Sequence, residues 1–219
     1  MIQVSPANII VLLSALALLP FFLMMVTSYV KIVVVFSLIR NALGVQQVPP
    51  TMVLNGLTMV LTLFIMAPVG MEAWESLENS NVDFGTAASD PAKMNEAVRL
   101  ASPSLKQFLL KNTDSRVLGA LKASAKRTWP ARYHDMLADD GFLFIIPSFV
   151  LTELTEAFQI GFLLYLPFVM IDLIISNILL AMGMMMVSPM TISLPFKLLL
   201  FVTLDGWLKI SQGLMYGYT

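Results

Sequence analysis

The chain has 219 residues, of which 58% are hydrophobic and 12% charged, and it contains no cysteine; its mean hydropathy is +0.81. A water-soluble domain of this size carries about twice that share of charge, roughly a quarter, so the composition predicts a membrane or a wholly buried setting. The net charge of −1 excludes the single-signed field that nucleic-acid binding needs, and the lack of cysteine excludes disulfides and thiolate metal sites.

The charges are distributed unevenly along the chain. Of the 27 Asp, Glu, Lys and Arg residues, 19 lie between Glu72 and Asp140. Two apolar regions therefore flank one polar insert. We predict three parts: an N-terminal apolar helical hairpin (1–71), a polar helical insert (72–140) and C-terminal apolar helices (141–219).

The N-terminal part reads as two helical segments. Residues from Ile9 to Ile39 are nearly all apolar, which predicts one long helix bent at Pro20. Gly44 is typical of a residue that follows a helix. A second helix is expected to begin near Thr51 and to run to about Met71, and it contains no charge.

The insert contains the start and stop signals of soluble helices. Asp90 followed by Pro91 predicts a helix start, Pro103 is expected to end that helix, and Asp114 is a candidate N-cap for the next one. The next helix is predicted to be short and amphipathic. Its shared apolar face comprises Val117, Leu118, Leu121 and Ala125.

Prolines divide the C-terminal part in the sequence. We expect breaks at Pro147, Pro167, Pro189 and Pro195. The piece 168–187 is able to span a bilayer, whereas the piece 148–166 carries two glutamates that each cost about 3 kcal/mol at the centre of a membrane helix. The helices are therefore not all expected to face lipid.

Seven charged residues lie in apolar surroundings, where an ionised group must find a partner or water. Asp205 and Lys209 have the i,i+4 spacing that predicts a pair on one helix. Glu153 and Glu156 have no cation nearby in sequence, so their partner comes from elsewhere, such as Lys31, or from another chain. They either form buried ion pairs or belong to a path for protons or ions. The full set is Lys31, Glu153, Glu156, Asp172, Lys197, Asp205 and Lys209.

The segment 182–190 holds five of the sixteen methionines. Three of them, Met184, Met185 and Met186, are adjacent, so they cannot share one helix face. One interpretation is soft packing between helices. The other is a loop that forms a deformable apolar collar when it is repeated around a ring, because apolar constrictions can exclude water from a pore.

Catalysis is not predicted for this chain. His134 is the only histidine, and without cysteine it provides neither a usual zinc site nor a nucleophile and base in one recognisable motif. The sequence also lacks the glycine-rich patterns of nucleotide-binding sites. We therefore predict a protein that is not an enzyme and has no cofactor.

Several long motifs of the sequence occur together in one known family. They are Met24–Ile32, Leu38–Pro50, Leu61–Pro68, Glu156–Phe162, Gly183–Pro189 and Leu194–Leu198. With these motifs the chain resembles the R subunit of the type III secretion export gate, the SctR/FliP family. The segment Gly44–Gln47 is more similar to injectisome members than to flagellar ones.

The resemblance implies a non-enzymatic, multi-pass, all-α subunit that assembles as a ring of five copies with the S and T subunits. This export gate lies in the bacterial inner membrane, partly at periplasmic level, next to other export components, and passes unfolded effector chains that serve virulence. The insert is expected to be periplasmic. Met184, Met185 and Met186 correspond to the family's methionine gasket, and we expect Lys31, Glu153 and Glu156 to make charge contacts between chains.

A rival interpretation is a small secondary transporter or proton channel. In that case Glu153, Glu156 and Asp172 would act as relay carboxylates. The purified protein alone would then conduct protons, and Glu156→Gln would abolish the flux. A ring with partner subunits favours the gate instead.

Overall fold

The computed structural model describes residues 6–45, 48–80, 91–137 and 141–218. Within these ranges the chain is all-α, as predicted, with eight α-helices, one 3-10 helix and no strand. The helices are α1 (Pro6–Met25), α2 (Tyr29–Leu43), α3 (Thr51–Glu78), α4 (Pro91–Lys111), α5 (Ser115–Thr128), the 3-10 helix (Ala131–Leu137), α6 (Phe142–Ala181), α7 (Pro189–Thr203) and α8 (Gly206–Tyr216).

The contacts divide the chain into two units. One comprises the residues up to Val30 together with Val69–Thr152, and the other comprises Lys31–Pro68 together with the residues from Glu153 onward. The three-part division at residues 71 and 140 follows composition rather than contacts, and it stays a prediction.

The second unit has a core built on one face of α2. Ile32, Val35, Phe36 and Ile39 recur at the three- and four-residue spacing of a helix face and are almost fully buried. Trp207 of α8 meets Phe36 edge to face at 5.7 Å between ring centroids. The same cluster of buried residues includes members of α3, α6, α7 and α8, namely Leu54, Ala157, Phe168, Phe201 and Leu214.

The first unit packs the insert on the beginning of α6. The ring centroids of Phe108, in α4, and Phe149 lie 5.8 Å apart. Those of Trp129, just after α5, and Phe144 lie 5.4 Å apart. The backbone N–H of Asp114 donates to the Thr152 hydroxyl at 3.1 Å. These contacts hold the insert's helices on an apolar helix.

The predicted caps of the insert are confirmed where the structure describes them. Asp114 is the N-cap of α5, and its carboxylate accepts from the Arg116 N–H at 2.8 Å. Ala125 of the predicted apolar face is buried. Helix α4 begins at Pro91 as expected, whereas Asp90 lies outside the described residues.

Four of the prolines that were expected to end or break a helix lie inside one. Pro103 lies inside α4, where we predicted an end. The missing proline N–H leaves the Arg99 carbonyl without its helical donor, and the Ser102 hydroxyl lies 3.3 Å from that carbonyl. Pro147 and Pro167 lie inside the single helix α6, and Pro195 lies inside α7. Of the four prolines expected to break the C-terminal part, only Pro189 lies at a helix boundary.

The first two helix boundaries also differ from the prediction. Pro20 lies inside α1, and the break between α1 and α2 falls at residues 26–28. Helix α3 begins at Thr51 as predicted but continues past Met71 to Glu78. It therefore extends into the region assigned by composition to the insert.

Among the residues that the structure describes, two helices are long and apolar enough to cross a membrane, α3 and α6. The bent pair α7 and α8, whose axes meet at 57°, adds a third candidate if the two count as one span. Helix α6 has 40 residues, about 60 Å at 1.5 Å per residue, which is twice the roughly 30 Å of a bilayer core. Half of α6 therefore extends beyond the thickness of that core.

Candidate functional site

The methionine segment is a defined loop between α6 and α7. Gly183 has φ +74°, a backbone conformation that favours glycine. The Gly183 N–H bonds to the Leu180 carbonyl at 3.0 Å, and the Met184 N–H bonds to the Leu179 carbonyl at 2.9 Å. These two bonds are the Schellman pattern that satisfies the last carbonyls of a helix. The loop therefore leaves α6 in a fixed direction.

The far end of the loop is fixed by the start of α7. Ser188 is the N-cap residue in extended conformation, and Pro189 occupies the first helical position. Between the two ends, the Val187 N–H bonds to the Met184 carbonyl at 3.3 Å. The segment is thus a structured connection between two helices.

The three adjacent methionines project from this loop. Their exposed fractions are 43% for Met184, 80% for Met185 and 101% for Met186. Such exposure excludes close packing of Met185 and Met186 against the rest of their own chain. The structure places these predicted residues together on one loop, and their role as a gasket stays a prediction.

The predicted charge residues form a buried cluster within one chain. Lys31 Nζ lies 2.9 Å from Glu153 Oε1 and 2.7 Å from Glu156 Oε2. The Lys31 and Glu153 side chains are buried, whereas that of Glu156 is 47% exposed. The contact to Glu153 Oε1 meets the distance but not the angles of a hydrogen bond, so it is an ion pair of unfavourable hydrogen-bond geometry. A contact of these residues with another chain stays a prediction.

Tyr218 completes this cluster, and the sequence did not point to it. Its phenol donates a hydrogen bond to Glu153 Oε2, and Lys31 Nζ lies 4.3 Å from the centre of its ring, a cation–π contact. Burial, and after it the Glu153 carboxylate, raises the pKa of Tyr218. The phenol therefore keeps its proton and remains a donor.

A second ion pair, between a buried lysine and a carboxylate whose side chain is 33% exposed, joins α6 to α7. Lys197 Nζ lies 2.6 Å from Asp172 Oδ2 and donates to the Ala42 carbonyl at 3.1 Å, near the end of α2. The Ser193 hydroxyl donates to Asp172 Oδ1 at 2.6 Å. The sequence marked Asp172 and Lys197 as charges in apolar surroundings but did not pair them, because they lie 25 residues apart.

The predicted pair Asp205 and Lys209 is wrong in this structure. Asp205 is the N-cap residue of α8 in the left-handed region, φ 51°. Its carbonyl accepts the Lys209 N–H at 3.0 Å, and among the described residues no ion pair joins the two side chains. Both side chains are exposed, so water solvates them.

In the part of the chain that the structure describes, no group of three or more His, Asp or Glu side chains is arranged to hold a metal ion. Glu153, Glu156 and Asp172 form ion pairs with lysines instead. The described residues thus form an exposed apolar loop and two ion clusters, each built around a buried lysine, beside long apolar helices.

Known proteins match this chain along almost its whole length. Residues 12–214 match the FliP family. Yop proteins translocation protein R of Yersinia pestis is 50% identical over 211 residues, covering 96% of this chain and 95% of the relative. Hypersensitivity response secretion protein HrcR of Ralstonia nicotianae is 48% identical over 217 residues, with 99% of each chain covered.

A third relative has the same extent of similarity. Virulence protein YscR of Salmonella typhimurium is 48% identical over 206 residues, covering 93% of this chain and 92% of the relative. These matches confirm the resemblance drawn from the motifs, including its injectisome rather than flagellar character. The chain belongs to the FliP family.

Proposed function

We propose that this protein is a core subunit of the type III secretion export gate and that it forms a channel for unfolded effector chains. Several copies, five by analogy with the family, assemble with the S and T subunits in the bacterial inner membrane. The single observation that carries the proposal is the exposed methionine loop between two apolar helices. The relatives are named for translocation and secretion, which supports the same role.

Methionine suits a seal around a moving chain. Its side chain is unbranched and flexible, so it can repack against many passing residues, whereas a rigid side chain would select by shape. Repeated around an axis, Met184, Met185 and Met186 form an apolar constriction that holds back water and ions. The exposure of Met185 and Met186 leaves them available for that contact.

The exposed helices support assembly. Within the single chain, only 17% of the 18-residue apolar stretch of α3 is buried, and only 11% of the corresponding stretch of α6. Because α6 is about twice as long as a bilayer core is thick, part of its apolar surface needs cover other than lipid tails. Neighbouring subunits provide that cover, and the half-exposed Glu156 lies where a charge contact between chains can form.

The gasket is tested by replacing Met184, Met185 and Met186 together with alanine. We expect increased leakage of small ions through the reconstituted gate, with assembly retained. The matched control replaces three other exposed methionines, Met52, Met59 and Met71, and should leave leakage unchanged. Equal leakage from the loop variant and the wild-type protein would refute the gasket.

The location of the insert is tested with a unique thiol. We propose that the insert is periplasmic. The chain has no cysteine, so Ser115→Cys, on the exposed start of α5, introduces the only reactive site. A membrane-impermeant thiol reagent should label it from outside; labelling only after the membrane is opened would place the insert in the cytoplasm.

The rival transporter is disfavoured by the ion pairs. Each of its proposed relay carboxylates already has a lysine partner within 3 Å, as expected for structural pairs. A gate subunit predicts no proton flux from the purified chain alone. Flux that Glu156→Gln abolishes would favour the transporter.

A further inference from the structure

Helices α6 and α7 form an antiparallel hairpin with a definite register. Asp172 pairs with Lys197 at 2.6 Å, and Phe168 lies 6.5 Å from Phe201 between ring centroids. In each pair the two residues are equally distant in sequence from the Met184–Met185 peptide bond. The tip of the hairpin therefore falls between these two methionines.

The polar contacts at the base of the hairpin hold this register. Asp172 uses both carboxylate oxygens, one for Lys197 and one for Ser193. Lys197 also donates to the Ala42 carbonyl at 3.1 Å, which fixes the hairpin on the end of α2. Ser193 is fully buried and the Lys197 side chain is 4% exposed.

We propose that Asp172, Ser193 and Lys197 are positioning residues that set the place of the methionine loop; the proposal rests on the gasket function above. We call these three residues the hairpin clamp. At 1.5 Å per residue, Asp172 and Lys197 lie about 12–14 Å along their helices from the loop, and Ser193 lies about 6 Å from it. Ser193 Oγ also lies 3.2 Å from the Met190 carbonyl oxygen at the start of α7, whereas Asp172 and Lys197 act on the loop through the two helices.

The physical basis is that only one register satisfies the clamp. A slip of one residue rotates a side chain by about 100° around the helix axis, which would carry Asp172 away from both partners. The Lys197 side chain is 4% exposed and that of Asp172 is 33% exposed, so separating the two would leave a buried ammonium group without its counter-ion, which is strongly disfavoured. The hairpin therefore has one favoured arrangement, and the tip has one position.

The experiment measures loop motion with a spin label. The cysteine-free chain allows a single label at Met186→Cys on the loop, or at Met52→Cys on α3 as the reference; both sites are highly exposed. The clamp is removed by the double variant Asp172→Asn/Lys197→Met, which leaves no unpaired buried charge. We expect a several-fold shorter rotational correlation time at 186 and no change at 52.

Two results would overturn the clamp. One is unchanged label mobility at 186 in the double variant, and the other is an equal rise at 186 and 52, which would indicate general loosening. Ser193→Ala keeps both charges and should also increase label mobility at 186, but by less than the double variant. It tests the clamp if the double variant does not fold. Lys209→Met, an exposed lysine without an ion pair among the described residues, is the control and should change neither label.

The clamp and the gasket can fail separately. Label mobility reports the clamp even if the triple alanine variant of the loop does not leak. If the gasket holds, the double variant should also leak several-fold more than the wild-type protein. Leakage without a change in mobility at 186 would count against the clamp alone.

Discussion

The phenol of Tyr218 donates a hydrogen bond to the carboxylate of Glu153 across 65 positions of sequence. Glu153 is fully buried, and its other oxygen faces Lys31 without good hydrogen-bond angles. Tyr218 is therefore the group that satisfies Glu153 by a hydrogen bond. It links the segment after α8 to α6.

Removing the Tyr218 hydroxyl should destabilise the fold. Tyr218→Phe keeps the ring against Lys31 but leaves a buried carboxylate oxygen unsatisfied, which costs about 1–3 kcal/mol. The free energy of unfolding in detergent measures the loss. Tyr165→Phe, at an exposed tyrosine of α6, is the control, and an equal loss in both variants would contradict the assigned role.

Removing Lys31 should cost more than removing the tyrosine hydroxyl. Lys31→Met leaves Glu153 buried without a cation, and breaking a buried pair in this way costs about 3–5 kcal/mol. Glu156 contributes less because its side chain is half exposed and solvent screens it. Chemical denaturation of the variants measures the loss.

The double variant Lys31→Met/Glu153→Gln tests the cause of that loss. It removes both buried charges, so it should recover much of the stability that Lys31→Met loses. The loss in the double variant minus the sum of the losses in Lys31→Met and Glu153→Gln gives the coupling free energy of the pair. If the two single losses simply add, the buried pair is not coupled as described.

Gly161 sets the spacing between α2 and α6. A Cβ atom at this position would overlap the Leu38 side chain, so Gly161→Ala should cost about 1–3 kcal/mol by overpacking. Thermal unfolding measures it. Gly56→Ala is the control, because no atom lies within 4 Å of the added Cβ and alanine favours a helix by up to about 1 kcal/mol.

Leu38→Ala provides the reciprocal check. The shorter side chain makes room at Gly161, so the double variant Gly161→Ala/Leu38→Ala should lose less stability than the two single losses combined. Additive losses would place the strain elsewhere.

The start of α5 should weaken in acid. The hydrogen bond from the Arg116 side chain, followed by that from its backbone N–H, lowers the pKa of Asp114. Because folding lowers this pKa, the ionised Asp114 carboxylate makes its full contribution to stability above its ordinary pKa of about 3.9. That contribution is lost as the pH falls through the lower pKa of the folded state.

Amide exchange of Arg116 across that pH range measures the effect. In the wild-type protein the protection of this amide should decline below about pH 4. Asp114→Asn keeps an acceptor oxygen but has no charge to titrate, so its protection should not follow the same decline. The same acid-induced loss in Asp114→Asn would show that another group is responsible.

Local chemistry determined several features in advance. The charge deficit indicated an apolar, helical chain with one polar insert, and the motifs indicated the family. The beginnings of α3 at Thr51 and α5 after Asp114 followed from proline position and N-cap chemistry. These features depend on residues within a few positions of each other, which is why the sequence alone predicts them.

Only the tertiary structure decided the helix lengths and the charge partners. Pro147 and Pro167 were expected to break α6, but a long apolar helix outweighs the local cost of a proline when its surroundings favour continuous backbone hydrogen bonding. Asp205 met the i,i+4 spacing and still forms no pair in the described structure, because it lies before α8 at the N-cap position with a left-handed backbone, so the spacing is not that of two residues within one helix. Asp172 and Lys197 meet because an antiparallel hairpin brings distant positions together. Spacing rules describe one helix, whereas buried charges find partners across helices.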